Sequence, residues 1–166
     1  MYKLGMFLSI LLLDNHLPLF NELVNMQKLN QKEFDSTAIN LGFNFSKLKY
    51  ERTLQANRYV YVYSGIPEKT EVRLERVVDS LRFRKSNTLM LLVTLDFIIY
   101  DKQYYDNLLS ACKKNDYEYW GLDNYDREYP GMKTIEFRKA TNVAKFSIGK
   151  RDGKEFYKVS VSISPK

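Results

Sequence analysis

Apolar residues recur at helical spacing in one early stretch of the chain. Phe34, Ala38 and Leu41 follow one another at i, i+4 and i+7, which places them on one face of a helix. Asn30 precedes this stretch, and Glu33 lies three residues after Asn30, which is the pattern of a capping box. The spacing therefore predicts a helix that begins after Asn30 and ends at the glycine that follows Leu41.

A second helix is predicted from about Asp101 to Lys114. Asp101 is a suitable N-cap, and the lysines at the far end suit the negative pole of a helix. The apolar face of this helix carries Tyr105, Leu108, Leu109 and Cys112.

Each helix is followed by segments that alternate in polarity or are rich in Val, Tyr and Phe, which is typical of strands. These segments are 43–48, 58–64, 72–76, 88–95, 117–122, 134–139, 143–149 and 155–164. Asp152-Gly153 between the last two is a strong signal for a two-residue hairpin. Length and Val and Thr content favour a buried strand for 88–95, although its periodicity also fits a helix.

The order of elements predicts an α+β protein made of two helix-plus-antiparallel-meander units that share one curved sheet. We assign residues 26–99 to the first unit and 100–166 to the second, within one compact domain. Phe34 matches Tyr105 when the two helical sequences are aligned. Aromatic residues at alternate positions follow both helices, at 43 and 45 and at 117 and 119. This similarity indicates an internal duplication, and two similar amphipathic helices arising by chance are the alternative.

Residues 1–20 are a candidate signal peptide or an apolar N-terminal segment. Lys3 and the apolar run 4–13 match the start of a secretory signal peptide, but no small-x-small cleavage pattern follows. The alternatives are a structural segment packed on the domain and a membrane anchor. The run is too short to span a bilayer, which needs about 20 residues. Cleavage would make the protein periplasmic or secreted, and retention of the segment would leave it cytoplasmic.

The 166 residues carry a formal charge of +6 and include 13 Tyr and 10 Phe. A basic balance permits binding to nucleic acid, anionic lipid or an acidic protein. The densest basic stripe is Arg82, Arg84 and Lys85 around Phe83, and it could track phosphates while the aromatic ring stacks on bases. A charged strand face turned to solvent is the alternative reading of the stripe.

The chain offers little for catalysis, and we predict no catalytic residue, metal site or cofactor. Cys112 and His16 are the single members of their residue types, and Cys112 lies on the apolar helix face. Asp123, Asp126 and Glu128 are the candidates for acid–base work in a small hydrolase, and a solvated loop is the alternative.

The same loop region contains the residue types that are enriched at binding interfaces. These candidate binding residues are Trp120, Tyr125, Arg127 and Tyr129. The alternative for Trp120 and Tyr129 is that they fill the core.

The repeated order of a helix and a four-stranded meander resembles the layout of β-lactamase-inhibitor-like proteins. It is also similar to small exported bacterial proteins that have a Glu-Phe-Asp helix start, here at 33–35, and a Gly-aromatic pair, here at 42–43. The resemblance covers residues 26–164 and implies a binding scaffold in the cell envelope. The inhibitor family's two cysteine pairs are absent, and no functional residue is transferred.

These observations together predict a non-enzymatic binding protein of the bacterial cell envelope or secreted space, with a protein or glycan partner. The alternative is a nucleic-acid-associated protein that uses the basic strand face.

Overall fold

The computed structural model describes residues 17–52, 56–65, 72–83, 88–123 and 131–164. These residues form three helices, which are α1 (Phe20–Lys28), α2 (Gln31–Asn40) and α3 (Lys102–Lys114). The eight strands are β1 (Asn44–Arg52), β2 (Ala56–Ser64), β3 (Arg73–Phe83), β4 (Thr88–Ile99), β5 (Glu118–Asp123), β6 (Lys133–Lys139), β7 (Asn142–Arg151) and β8 (Lys154–Ile163). The α+β prediction is confirmed, and 88–95 is a strand rather than a helix.

All eight strands belong to one antiparallel sheet with the order β1-β2-β3-β4-β8-β7-β6-β5. Each half of the chain contributes a four-stranded meander, and β4 pairs with β8 to join the two. Because β4 and β8 lie in the middle of the sheet, β1 and β5 are its two edges. The duplication of an ancestral unit stays a prediction, because the sheet order alone does not establish it.

The predicted starts of α2 and α3 are confirmed by their capping bonds. The Glu33 backbone N–H donates to Asn30 Oδ1 at 3.0 Å, and the Asn30 backbone N–H donates to Glu33 Oε2 at 3.1 Å. At α3 the Tyr104 backbone N–H donates to Asp101 Oδ1 at 3.0 Å. Each cap satisfies an N–H group that has no partner inside its helix.

The sequence analysis does not predict α1, which lies between the apolar run 4–13 and the first predicted helix. Phe20, Leu23 and Met26 are buried at helical spacing. The Leu19 backbone N–H donates to Glu22 Oε2 at 2.7 Å and closes the first turn. This helix packs on β4 and β8, so it covers the line along which the two meanders meet.

The three helices cover the same face of the sheet. Along β8, Tyr157, Val159 and Val161 belong to the main core with the buried residues of the helices. Aromatic rings dominate this core: the Phe20 ring centroid lies 5.2 Å from that of Tyr117 and 6.1 Å from that of Phe146. Burial of such large rings removes much apolar surface from water, which is the main favourable term in folding.

The opposite face of the sheet, here called the helix-free face, carries buried polar side chains beside two small apolar clusters. It carries Lys158 and Ser160 from β8 and Glu75 from β3, all buried among their neighbours. The mainly polar face predicted for β8 is therefore confirmed. Buried charges need partners, and Glu75 accepts a charge-assisted hydrogen bond from Arg73 on the same strand.

The Asp152-Gly153 hairpin is confirmed by its backbone geometry. Arg151 pairs with Lys154, which leaves two residues in the turn. Asp152 and Gly153 have φ of 52° and 79°, as the tight hairpin turns that match strand twist require. This turn places Arg151 near the end of β4, beside Ile98 and Tyr100.

Within the described ranges, none of the helices has the length and apolar character needed to cross a membrane.

Candidate binding surfaces

The β5 edge of the sheet exposes a run of large apolar side chains. Tyr119, Trp120 and Leu122 are 61%, 63% and 71% exposed, respectively. The register shifts between Tyr119 and Gly121, which marks a bulge in this strand. Exposed aromatic and apolar side chains that cluster on one strand mark an interaction site more often than isolated ones do.

Trp120 is held in place by a chain of charged contacts. The Arg138 guanidinium lies 4.2 Å from the centroid of the Trp120 ring. Arg138 Nε donates to Glu136 Oε1 at 2.5 Å, and Lys145 Nζ lies 3.4 Å from Glu136 Oε2. Because Glu136 is buried, it fixes the arginine against the indole and so orders an exposed ring.

Tyr119 lies on the other side of the same strand. Its ring centroid is 6.0 Å from that of Phe137, with the rings edge to face. Phe137 belongs to the core beneath the helices, so Tyr119 extends that core to the sheet edge. The β5 edge therefore presents apolar surface on both faces of the sheet.

The other edge strand, β1, also exposes apolar side chains but is more heavily charged. Phe45, Leu48 and Tyr50 are exposed there. The strand Asn44–Arg52 contains two lysines, a glutamate and an arginine, whereas β5 has one charged residue at each end. Charged side chains on an edge discourage strand pairing, so β5 is the less protected edge.

Of the candidate binding residues predicted from the sequence, only Trp120 lies among the described residues. Trp120 is exposed, so the alternative that it fills the core is wrong. Tyr125, Arg127 and Tyr129 lie outside the described residues. Their grouping with Trp120 stays a prediction.

The basic stripe and the acidic loop lie largely beyond what the structure describes. Arg82 is in β3, but only its backbone position is described, and Arg84 and Lys85 lie outside the described residues. Asp123 ends β5, and only its backbone position is described. Asp126 and Glu128 lie outside the described residues.

Cys112 belongs to α3, and its side chain is buried in the core, as its position on the apolar helix face predicts. Burial raises the pKa of this thiol to about 12, because the charged thiolate is poorly solvated there. The thiol therefore stays protonated near neutral pH and serves as a small apolar core residue. In the described part of the chain, no three His, Cys, Asp or Glu side chains converge in a way that could hold a metal ion.

A cavity of about 330 Å³ opens on the helix-free face, near the β7–β8 hairpin. Its polar lining residues carry both signs of charge and are Ser64, Arg73, Tyr100, Arg151 and Asp152, and its apolar walls are Val72, Ile98 and Phe156. Residues of β3, β4, β7 and β8 meet here only because the two meanders are joined. Sequence spacing alone gives no signal for this cavity.

Comparison of the chain with protein-family models, with curated proteins and with solved structures gives no match. The resemblance to β-lactamase-inhibitor-like proteins stays a prediction.

Proposed function

We propose that this protein is a non-enzymatic binding protein that contacts a protein or glycan partner through the β5 edge. The observation that carries the proposal is the ordered exposure of Trp120, which is 63% exposed yet stacked on an arginine that Glu136 fixes. Ordering before binding reduces the entropy cost of forming a complex. Trp and Arg are also the residue types that contribute most at interfaces.

A protein partner could use the backbone of β5 as well as its side chains. An edge strand has unpaired backbone donors and acceptors on one side, and an extended partner segment can pair with them. Tyr119 and Leu122 would then supply apolar contacts on one face and Trp120 on the other. A glycan partner would instead lie flat on the Trp120 ring.

The decisive variant is Trp120→Ala, and Leu91→Ala is its matched control. Leu91 is 60% exposed on β4, so its truncation removes exposed apolar surface away from the β5 edge. We expect an interface tryptophan to account for at least about 2 kcal/mol, or roughly a 30-fold loss of affinity. Partner capture from an envelope extract, followed by affinity measurement with the purified partner, checks this expectation.

The experiment separates the partner classes directly. Co-sedimentation with purified peptidoglycan tests the glycan arm, and the captured protein tests the protein arm. Equal affinity of Trp120→Ala and Leu91→Ala for the partner would remove the β5 edge from the proposal. Binding to a single-stranded oligonucleotide that falls steeply with added salt would support the nucleic-acid alternative instead.

We also propose that the protein acts in the cell envelope or after secretion. Phe20 packs in the core and the Tyr104 hydroxyl donates to the Leu17 backbone oxygen at 2.7 Å, so cleavage of a leader would spare residues from Leu17 onward. The intact mass of the protein recovered from the periplasm or medium checks this. A full-length product confined to the cytoplasm would contradict the envelope placement.

A further inference from the structure

The first meander is longer than the second, so the sheet has a step beside β4. The pairing of β4 with β3 runs from Thr88 to Ile98, whereas its pairing with β8 begins only at Thr94. Among the described residues, the segment 88–93 of β4 therefore has a strand on one side alone, and this segment is here called the β4 step. At about 3.3 Å per residue, it is about 20 Å long.

The β4 step has the composition of a strand that pairs readily with another chain. Its sequence is Thr-Leu-Met-Leu-Leu-Val, and the first charged residue after it is Asp96. Uncharged apolar segments of about six residues without proline are the usual templates for strand pairing between chains. Leu91 is 60% exposed, and Met90 and Leu92 are half-buried. Because successive side chains alternate between faces, a partner strand would contact Leu91 on one face and its two neighbours on the other.

A side chain of α1 meets the backbone of β4 at the point where β8 ends. Gln27 is buried, and its Nε2 donates to the Val93 backbone oxygen at 2.8 Å. The backbone beside the step therefore accepts a hydrogen bond from a group that is not part of a neighbouring strand. A strand from another chain could supply such donors, and matching acceptors, along the rest of the step.

The charges on the strands favour the β4 step over the two sheet edges as a self-pairing surface. Antiparallel pairing of two copies of β5 sets the acidic residue that begins one strand against the acidic residue that ends the other. In two copies of β1, Lys47 and Lys49 would lie against the same lysines. Like charges that face each other across strands are destabilising. The β4 step contains no charged residue, so antiparallel pairing with itself opposes only uncharged side chains.

The shape of the step also favours a second copy of the chain. An isologous contact joins the same surface of two copies about a two-fold axis. A two-fold axis normal to the sheet would set the two steps side by side, with their strands antiparallel and the helices of both copies on one side. The projecting ends of β3 and β4 in each copy would then occupy the step of the other.

We propose that a second copy of this chain pairs with the β4 step, so that residues 88–93 of the two copies run antiparallel in one joined sheet. The two Leu91 side chains then lie close together on the helix-covered face. A short strand pairing buries less surface than a standard interface, so we expect a dissociation constant on the order of 100 µM. The proposal goes beyond the binding function of the β5 edge and does not rest on it.

Sedimentation velocity of the full-length protein, from about 10 µM to about 1 mM, tests for the dimer. We expect the protein to shift from monomer to dimer across this range. Leu91→Lys should weaken the dimer by about tenfold or more, because it sets like charges together in an apolar contact. Leu48→Lys is the matched control, since Leu48 is 50% exposed on β1 of the same meander, and it should leave the dimer unchanged.

A charge-reversed variant separates loss of pairing from loss of folding. Leu91→Lys and Leu91→Glu should each be largely monomeric at about 100 µM, and their equimolar mixture should restore a dimer, because opposite charges then meet. A variant that merely failed to fold would not be rescued by mixing. Far-ultraviolet circular dichroism of each variant checks that the sheet is intact.

Three results would overturn the proposal. These are a monomer at all concentrations up to about 1 mM, an unchanged dimer in Leu91→Lys, and no dimer in the mixture of Leu91→Lys and Leu91→Glu. Leu122→Lys tests the β5 edge in the same way, because Leu122 is 71% exposed there. A dimer that Leu122→Lys abolishes and Leu91→Lys leaves intact would assign self-association to the β5 edge and contradict the pairing at β4.

Discussion

At the residue scale, two glycines in strands behave differently although the sequence gives no means of ranking them. A Cβ added at Gly149 would lie 2.6 Å from Cζ and 2.7 Å from Cε1 of Phe156. A Cβ added at Gly121 would meet nothing within 4 Å. Gly149 is therefore required by close packing on the helix-free face, whereas Gly121 only occupies the bulged edge.

We predict that Gly149→Ala destabilises the protein by about 1–3 kcal/mol, because the added methyl group must displace a buried ring. Gly121→Ala is the matched control and should change stability by less than about 0.5 kcal/mol. Urea unfolding of both variants measures the difference. Equal stability of the two would mean that the Phe156 ring can move at no cost.

At the element scale, the helix ends show which interactions are local and which are not. The N-terminal cap of α2 comes from residues three positions apart in the sequence. The C-terminal end of α1 depends on a distant strand, because Arg76 Nη2 in β3 donates to the Leu29 backbone oxygen at 2.6 Å. The same guanidinium lies 5.0 Å from the centroid of the Phe34 ring in α2.

For the local cap, we predict that Asn30→Ala lowers the free energy of unfolding by about 1 kcal/mol. The reason is that the Glu33 backbone N–H loses its acceptor and must rely on water. Lys32→Ala, an exposed change in the first turn of the same helix, serves as the control. Chemical denaturation checks the prediction, and identical midpoints for Asn30→Ala and Lys32→Ala would show that the cap contributes nothing.

At the scale of the whole molecule, α1 packs across the junction between the two meanders. It packs on β4 from the first meander and on β8 from the second. Its Phe20 ring also contacts Tyr117 and Phe146 in the second half of the chain. The core is therefore continuous across the β4–β8 junction, and neither half buries its apolar face alone.

We predict that Leu23→Ala costs about 2–5 kcal/mol, the usual range for a fully buried leucine. The unfolding transition should stay single, with the fluorescence of Trp120 and far-ultraviolet circular dichroism reporting the same midpoint. Leu19→Ala, which truncates an exposed leucine beside α1, is the control and should change little. Separate transitions for the two probes would contradict a shared core.

Much of the fold follows from patterns within a few residues of each position. Capping residues at Asn30 and Asp101, the alternation in β8 and the Asp152-Gly153 turn all act locally, so the sequence predicts them correctly. The helix α1 escaped prediction although its apolar spacing is helical, because it directly follows an apolar leader-like run. Pairings between distant strands have no such local signal, so the junction of β4 with β8 follows only from the folded chain.

The candidate sites divide in the same way. Composition and spacing identified Trp120 as a candidate, but its exposure and its contact with Arg138 depend on the place of β5 at the sheet edge. Arg73 and Arg151 are far apart in sequence, and joining the meanders brings them to one cavity. The sequence by itself determined the local elements, because capping, alternation and turn geometry depend on neighbouring residues. Only the tertiary structure decided which surfaces are exposed, because burial depends on which distant elements pack together.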